Sequence, residues 1–194
     1  MTLAALIAAS PTMREAAVGV ASGVADVHVS AVTHDSRAVT PGTVFVAIVG
    51  HRADGAAFAA QAISQGAVAV VAESDPPNDP LATTSVPWLH TTDARLALAD
   101  LSAALYEHPS DDLAVVGVTG TNGKTTTTYL LASVLDAAGM PCGRLGTVSV
   151  RTGPLPGDEM DAVRTTPESN EVQRLLREMV THGCRSCAME VSSH

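Results

Sequence analysis

Apolar positions along the chain fall into short runs separated by helical spacings, and this alternation predicts an α/β protein. Val44-Phe45-Val46-Ala47-Ile48 is an unbroken apolar run ending at Gly50, which reads as a strand. Ala56 to Gln65 reads as a helix with Phe58, Ala62 and Ile63 facing inward and Gly66 closing it. Val68-Ala69-Val70-Val71 is the next strand, and the proline-rich 75–80 stretch is a loop. Val86-Pro87-Trp88-Leu89-His90 reads as an edge strand, since proline cannot donate to a ladder. Asp93 to Tyr106 places Leu98, Leu101 and Leu105 on one helical face.

Glu107-His108-Pro109-Ser110-Asp111-Asp112 is polar and holds a proline, and marks a boundary between domains at 1–107 and 108–194. Beyond it, Leu113-Ala114-Val115-Val116 leads into a helix over Thr126–Ala138, with Tyr129, Leu130, Val134 and Leu135 as its inward face. A strand is expected around Leu145 to Val150 and a loop from Gly153 to Asp158. A further helix has Thr166 as N-cap candidate and Pro167 at its first position, with Val172, Leu175, Leu176, Met179 and Val180 at helical spacing before Gly183. Ser186 to Val191 reads as the last strand. Alternating strands and helices imply parallel sheets in both halves: a small N-terminal α/β domain, then the first part of a P-loop-type parallel α/β ATPase domain, incomplete at its C-terminus.

Composition adds little to this picture and charge narrows it. The chain has 194 residues, 46% of them hydrophobic but only 3% aromatic, so its cores rest on Ala, Val and Leu. Eleven basic against twenty acidic residues give a net charge of −9, which argues against nonspecific binding to nucleic acid or anionic membranes. No apolar run reaches the length of a membrane span, and the apolar start breaks at Ser10-Pro11 without a basic lead. A cytoplasmic protein is expected. Cys142, Cys184 and Cys187 form no metal-ligand pattern and are expected to be reduced thiols without a chemical role.

The chemistry concentrates at Gly120-Thr121-Asn122-Gly123-Lys124-Thr125-Thr126, between a Val-rich strand and a helix. Glycines let such a turn aim successive N–H groups at one anion, the lysine reaches outer phosphates, and the hydroxyl after it suits Mg²⁺. The full P-loop pattern wants a further glycine where Val118 stands, so this is a shortened form. ATP is the expected ligand, with Lys124 as its catalytic charge; a plain glycine-rich turn is the alternative. Glu190 ends the last strand, which should neighbour the phosphate-loop strand; it can ligate Mg²⁺ with Thr125 or simply form a salt bridge. Thr165-Thr166-Pro167 suits either a helix cap or an anion site. His34-Asp35-Ser36-Arg37 and His51-Arg52-Ala53-Asp54-Gly55 flank the first apolar run and are either polar turns or phosphate partners.

Taken in order, His-Asp-Ser-Arg, Pro-Gly-x-Val-Phe-Val-Ala, His-x-x-Asp-Gly, Gly-Thr-Asn-Gly-Lys-Thr-Thr, Thr-Thr-Pro and Met-Glu-Val-Ser-Ser-His resemble the Mur ligase family over nearly the whole chain. Thr-Thr-Pro and the final motif point to the branch that adds the third amino acid to UDP-N-acetylmuramoyl-L-alanyl-D-glutamate. The added residue is meso-diaminopimelate in most Gram-negative and actinobacterial members and L-lysine in others. The resemblance implies that Gly120 through Thr126 hold ATP, with Lys124 on its phosphates and Thr125 and Glu190 on Mg²⁺. It places Ser36, His51, Arg52 and Ala53 at the UDP end of the substrate, and Thr165, Thr166 and Ser192 at its muramoyl-dipeptide part. It implies a carboxylate activated as an acyl phosphate and then taken by an amine. Family members continue through a longer ATPase domain and a third domain, so ligase activity is not expected of these 194 residues alone, and residues 1–107 are expected to be the more protease-resistant half. The remaining alternatives are a D-alanyl-D-alanine-adding ligase and a non-catalytic nucleotide-binding module.

Overall fold

The computed structural model describes residues 1–14, 26–50, 53–76, 86–162 and 166–192. The chain divides into two compact units, Met1–Leu105 and Tyr106–His194.

The first unit is built on four parallel strands in the order β1 (Ala31–Thr33), β2 (Thr43–Ala47), β3 (Ala67–Ala72) and β4 (Trp88–His90). Side chains alternate across a strand, so the apolar run of β2 fills two cores at once. Val44 and Val46 join Leu3, Leu6 and Ile7 of helix α1 (Leu3–Ala9), with Leu98 and Leu101 of a later helix. Phe45 and Ala47 join Ala59 and Ala62 of helix α2 (Ala59–Ser64) on the opposite face. The later helix is α3 (Ala94–Leu105), which buries Ala94, Ala97, Leu98, Leu101 and Ala104. The apolar start of the chain is therefore core: α1 is capped by Thr2, whose side chain accepts the Ala5 N–H. At the sheet edge, β4 is preceded by Pro87, which has no N–H but accepts the Val70 N–H at 3.0 Å.

One expectation in this unit fails. Residues Gly55–Phe58 form a 3₁₀ turn before α2, and Phe58 is 43% exposed. The turn starts at Asp54, whose carboxylate accepts the Ala56 N–H, and this rotates Phe58 off the face that Ala59 and Ala62 occupy.

The second unit holds helices α4 (Lys124–Ala137) and α5 (Ser169–Thr181) and a five-stranded sheet. Its order is β5 (Ala114–Val118), β9 (Ser186–Glu190), β6 (Cys142–Leu145), β7 (Ser149–Arg151) and β8 (Glu159–Asp161). The first three are parallel, as the α/β reading expects, and β7 and β8 extend that parallel core with antiparallel pairing. The stretch around Leu145 to Val150 is two strands joined by a turn at 146–148. The three residues of β8 are all exposed and carry no apolar pattern that marks a strand.

Two helix expectations also change. In α4 the buried residues are Thr128 and Ala132; Ala132 packs with Cys142 and Ala188, with Leu131 and Leu135 half-buried beside them, whereas Leu130 and Val134 are 63% and 65% exposed. Small Ala132 lets the helix approach the sheet closely, and Thr128 satisfies its hydroxyl by donating to the Thr125 carbonyl at 2.9 Å. In α5 the N-cap position is Glu168, not Thr166. Its inward face is the expected one: Leu175, Leu176 and Met179 are buried with Leu145, Val150 and Cys187. At the start of the unit, Glu107 and His108 both have positive φ, and the Arg177 guanidinium donates to the carbonyls of Tyr106 and Glu107 at 2.8 Å each.

Candidate functional site

The carboxyl edge of the second sheet gathers three loops, because β5, β9 and β6 are parallel neighbours that end together. Residues 119–123 follow β5, residues 191–192 follow β9, and the 146–148 turn follows β6. A parallel α/β sheet presents its ligand crevice along this edge.

The loop after β5 bends through Gly120 (φ 138°) and Gly123 (φ 82°), both in the region L side chains avoid. Gly123 is the N-cap of α4 and offers no side chain to the first turn. The leading N–H groups of that helix thus face outward toward any anion in the loop. Thr121, Asn122 and Thr126 are exposed, and Lys124 and Thr125 are half-buried. Lys124 Nζ donates to the Gly120 carbonyl at 2.8 Å, so its charge lies across the mouth of the loop.

Glu190 is the register partner of Val118, immediately before the loop, and is 1% exposed. Its Oε1 accepts the Thr147 N–H and its Oε2 accepts the Thr147 hydroxyl, each at 3.0 Å. Thr166 pins the backbone at the same point: its hydroxyl donates to the Glu190 carbonyl at 3.2 Å and accepts the Ser192 N–H at 3.0 Å. Thr166, Glu190 and Ser192 are therefore brought together, next to the phosphate-loop strand. Thr165 lies outside the described residues. No cluster of three or more metal-ligating side chains occurs among the described residues.

In the first unit, the two candidate segments follow neighbouring parallel strands. Ser36 lies just after β1, is 8% exposed, and donates to Gln61 Oε1 at 3.2 Å. Ala53 lies after β2 in a turn closed by Gly50 N–H to the Ala53 carbonyl and Gly55 N–H to the Ile48 carbonyl, both at 3.0 Å. His51 and Arg52 lie outside the described residues. Asp35 accepts from Arg37 in a two-pronged pair at 2.9 and 2.7 Å, and this bonding holds its carboxyl down at about 2. Arg37 is 83% exposed, so the pair stands at the rim.

Sequence reading overlooked Thr147 and a polar cluster behind it. Arg144, 4% exposed, stacks on the Tyr129 ring at 3.5 Å and donates to Ser149 Oγ at 2.7 Å and to Glu159. Tyr129 and Ser149 hydroxyls are 3.0 Å apart. The hydrogen bond from Ser149, together with the Arg144 charge, lowers the Glu159 pKa. Arg151, opposite Arg144 in the β6–β7 pair, bonds Asp136 of α4 and the Cys142 carbonyl. The one available signal was Gly146 just after the strand, since a glycine there marks a close backbone approach without naming the partner. All three cysteines are buried, and burial pushes Cys184 up to about 11 and Cys187 higher still, so neither is a poised thiolate.

Two family profiles match this arrangement in chain order. One, described as Mur ligase family, catalytic domain, matches residues 28–106, and one described as Mur ligase middle domain matches residues 118–194. The chain belongs to the Mur ligase family. Among Mur ligases, a UDP-N-acetylmuramoyl-L-alanyl-D-glutamate--2,6-diaminopimelate ligase from Chlorobaculum tepidum is 51% identical over 166 residues, covering 86% of this chain and 32% of that protein. A solved structure of a ligase of the same name superposes with a TM-score of 0.72 at 23% identity, over 95% of this chain and 36% of that one. A MurF ligase from Thermotoga maritima, solved with ADP, superposes with a TM-score of 0.53 at 24% identity, over 87% and 33%. At these identities the two structures speak to the fold. The chain spans about a third of the length of the curated relatives it matches.

Proposed function

We propose that this chain forms the ATP-phosphate and UDP-substrate portions of a ligase that adds meso-diaminopimelate to UDP-N-acetylmuramoyl-L-alanyl-D-glutamate. The observation that carries this reading is the placement of the 120–126 loop beside a buried carboxylate, Glu190, on the adjacent parallel strand. The relative named for this reaction supports the choice of substrate.

The residues fit the groups they are proposed to hold. Positive-φ glycines and an uncapped helix start suit phosphate oxygens. Glu190 and Thr125 would supply oxygen donors of the kind that Mg²⁺ takes. Bound there, Mg²⁺ neutralises charge on the transferring phosphoryl group.

In the proposed reaction a γ-carboxylate oxygen of D-glutamate attacks the γ-phosphorus of ATP, and the bond to ADP breaks. The amine of the third amino acid then attacks the acyl carbon, phosphate leaves, and the nitrogen loses a proton to give the amide. Lys124 turns from the Gly120 carbonyl to the phosphates and offsets their charge. The first turn of α4 orients them, and Thr125 with Glu190 fixes the cation. Thr165, Thr166 and Ser192 serve the muramoyl-dipeptide portion. Ser36 with His51, Arg52 and Ala53 serves the UDP end, and the protein works in the cytoplasm on these small molecules.

Isothermal titration tests this reading. The chain should bind UDP-N-acetylmuramoyl-L-alanyl-D-glutamate saturably, and Ser36→Ala together with Arg52→Ala should weaken that binding at least tenfold, as expected on losing charge-assisted hydrogen bonds. Equal binding by wild type and variant would contradict it.

A further inference from the structure

We propose that Thr147 is a positioning residue for Glu190, fixing the carboxylate in the orientation from which it meets a nucleotide-bound cation; this rests on the reading of Glu190 as a metal ligand. Glu190 is a buried acid, and the donors on it are neutral: one backbone N–H and one hydroxyl, both from Thr147. No lysine, arginine or histidine pairs with it among the described residues. Both carboxylate oxygens are thus engaged by a single residue, so the orientation of Glu190 is set by Thr147.

The fold places Thr147 directly against Glu190. β9 lies between β5 and β6, so the phosphate loop flanks Glu190 from one side and the 146–148 turn flanks it from the other. Leu145 is in register with Met189, so the turn leaves β6 level with Glu190. Gly146 makes the approach possible, since a Cβ there would stand 2.7 Å from Glu190 Oε1. The turn is anchored on its far side, where Ser149 is tied to Arg144, Glu159 and Tyr129. Both contacts from Thr147 therefore come from a braced turn, which is how an outer hydrogen bond orients a metal ligand.

The test uses Mn²⁺ with ADP, followed by the electron paramagnetic resonance of free and bound Mn²⁺, on the 194-residue chain and four variants. Thr147→Val keeps the N–H and shape but removes the hydroxyl; it should weaken Mn²⁺ binding about tenfold in the presence of ADP. Thr147→Ser should restore most of that loss. Gly146→Ala, which crowds Oε1, should weaken Mn²⁺ as well. ADP affinity without metal should be unchanged in all three. Wild-type Mn²⁺ affinity in Thr147→Val, failure of Thr147→Ser to recover, or equal loss of metal-free ADP binding would overturn the proposal. Glu190→Gln separates the two layers: if it leaves Mn²⁺ affinity intact, the metal-ligand reading itself fails.

Discussion

Arg144 carries a full charge into the sheet, and the arrangement around it explains how that is tolerated. The guanidinium lies on the Tyr129 ring while one nitrogen serves Ser149 and Glu159. Glu159 is 43% exposed, so removing Arg144 strands a group that water can reach, and the penalty falls below that of a fully buried pair. Arg144→Ala should lower stability by about 1–3 kcal/mol in urea unfolding, from lost packing and hydrogen bonds. Asp35 gives a prediction in pH. Its carboxyl is held at about 2, below the ordinary 3.8, so its stabilising effect is present above 3.8 and is lost as pH falls toward 2. Carboxyl NMR should find that depressed midpoint, and Arg37→Ala should return it toward 3.8. The phosphate-loop residues were legible from sequence because their spacing encodes local geometry. Thr147 was not, because its partner is 43 positions away and only the β6–β9 pairing brings them together.

At the scale of elements, α4 shows where periodicity misleads. It carries two apolar stripes: Leu130 with Val134 faces solvent, while Ala132 with Leu131 and Leu135 faces the sheet. Ala132 packs against Ala188 and Cys142 with Leu131 and Leu135 beside it, and helical periodicity alone does not tell which of the two stripes meets the sheet. Leu130→Lys with Val134→Lys should change the stability of this chain by no more than about 0.5 kcal/mol, whereas Ala132→Leu should cost about 1–3 kcal/mol by overpacking. Urea unfolding distinguishes the two. Helix α5 was read correctly along its inward face because only one stripe is apolar there. Its start was misplaced because Thr166, a residue typical of caps, is engaged instead with the end of β9.

At the scale of the molecule, β2 and β3 of the first unit were legible because they are buried and read as unbroken apolar runs, whereas β1, three residues from Ala31 to Thr33, is too short to leave such a pattern. The second unit mixes a parallel core with a polar antiparallel pair, and β8, exposed at every residue, leaves no hydrophobic trace. The units also differ in cover: β5 lies at a sheet edge with Ala114 to Gly117 exposed, whereas β2 and β3 of the first unit are enclosed. Limited proteolysis should therefore leave a fragment near 1–107 after the second unit is degraded. The central claim concerns the 120–126 loop as an ATP-phosphate cradle, and its most direct test is isothermal titration of ADP with Mg²⁺ into the wild-type chain and Lys124→Ala. Saturable binding that weakens at least about tenfold in the variant, the loss of a charge-assisted bond, is the expected result. No saturable binding, or equal affinity in the two proteins, would contradict it.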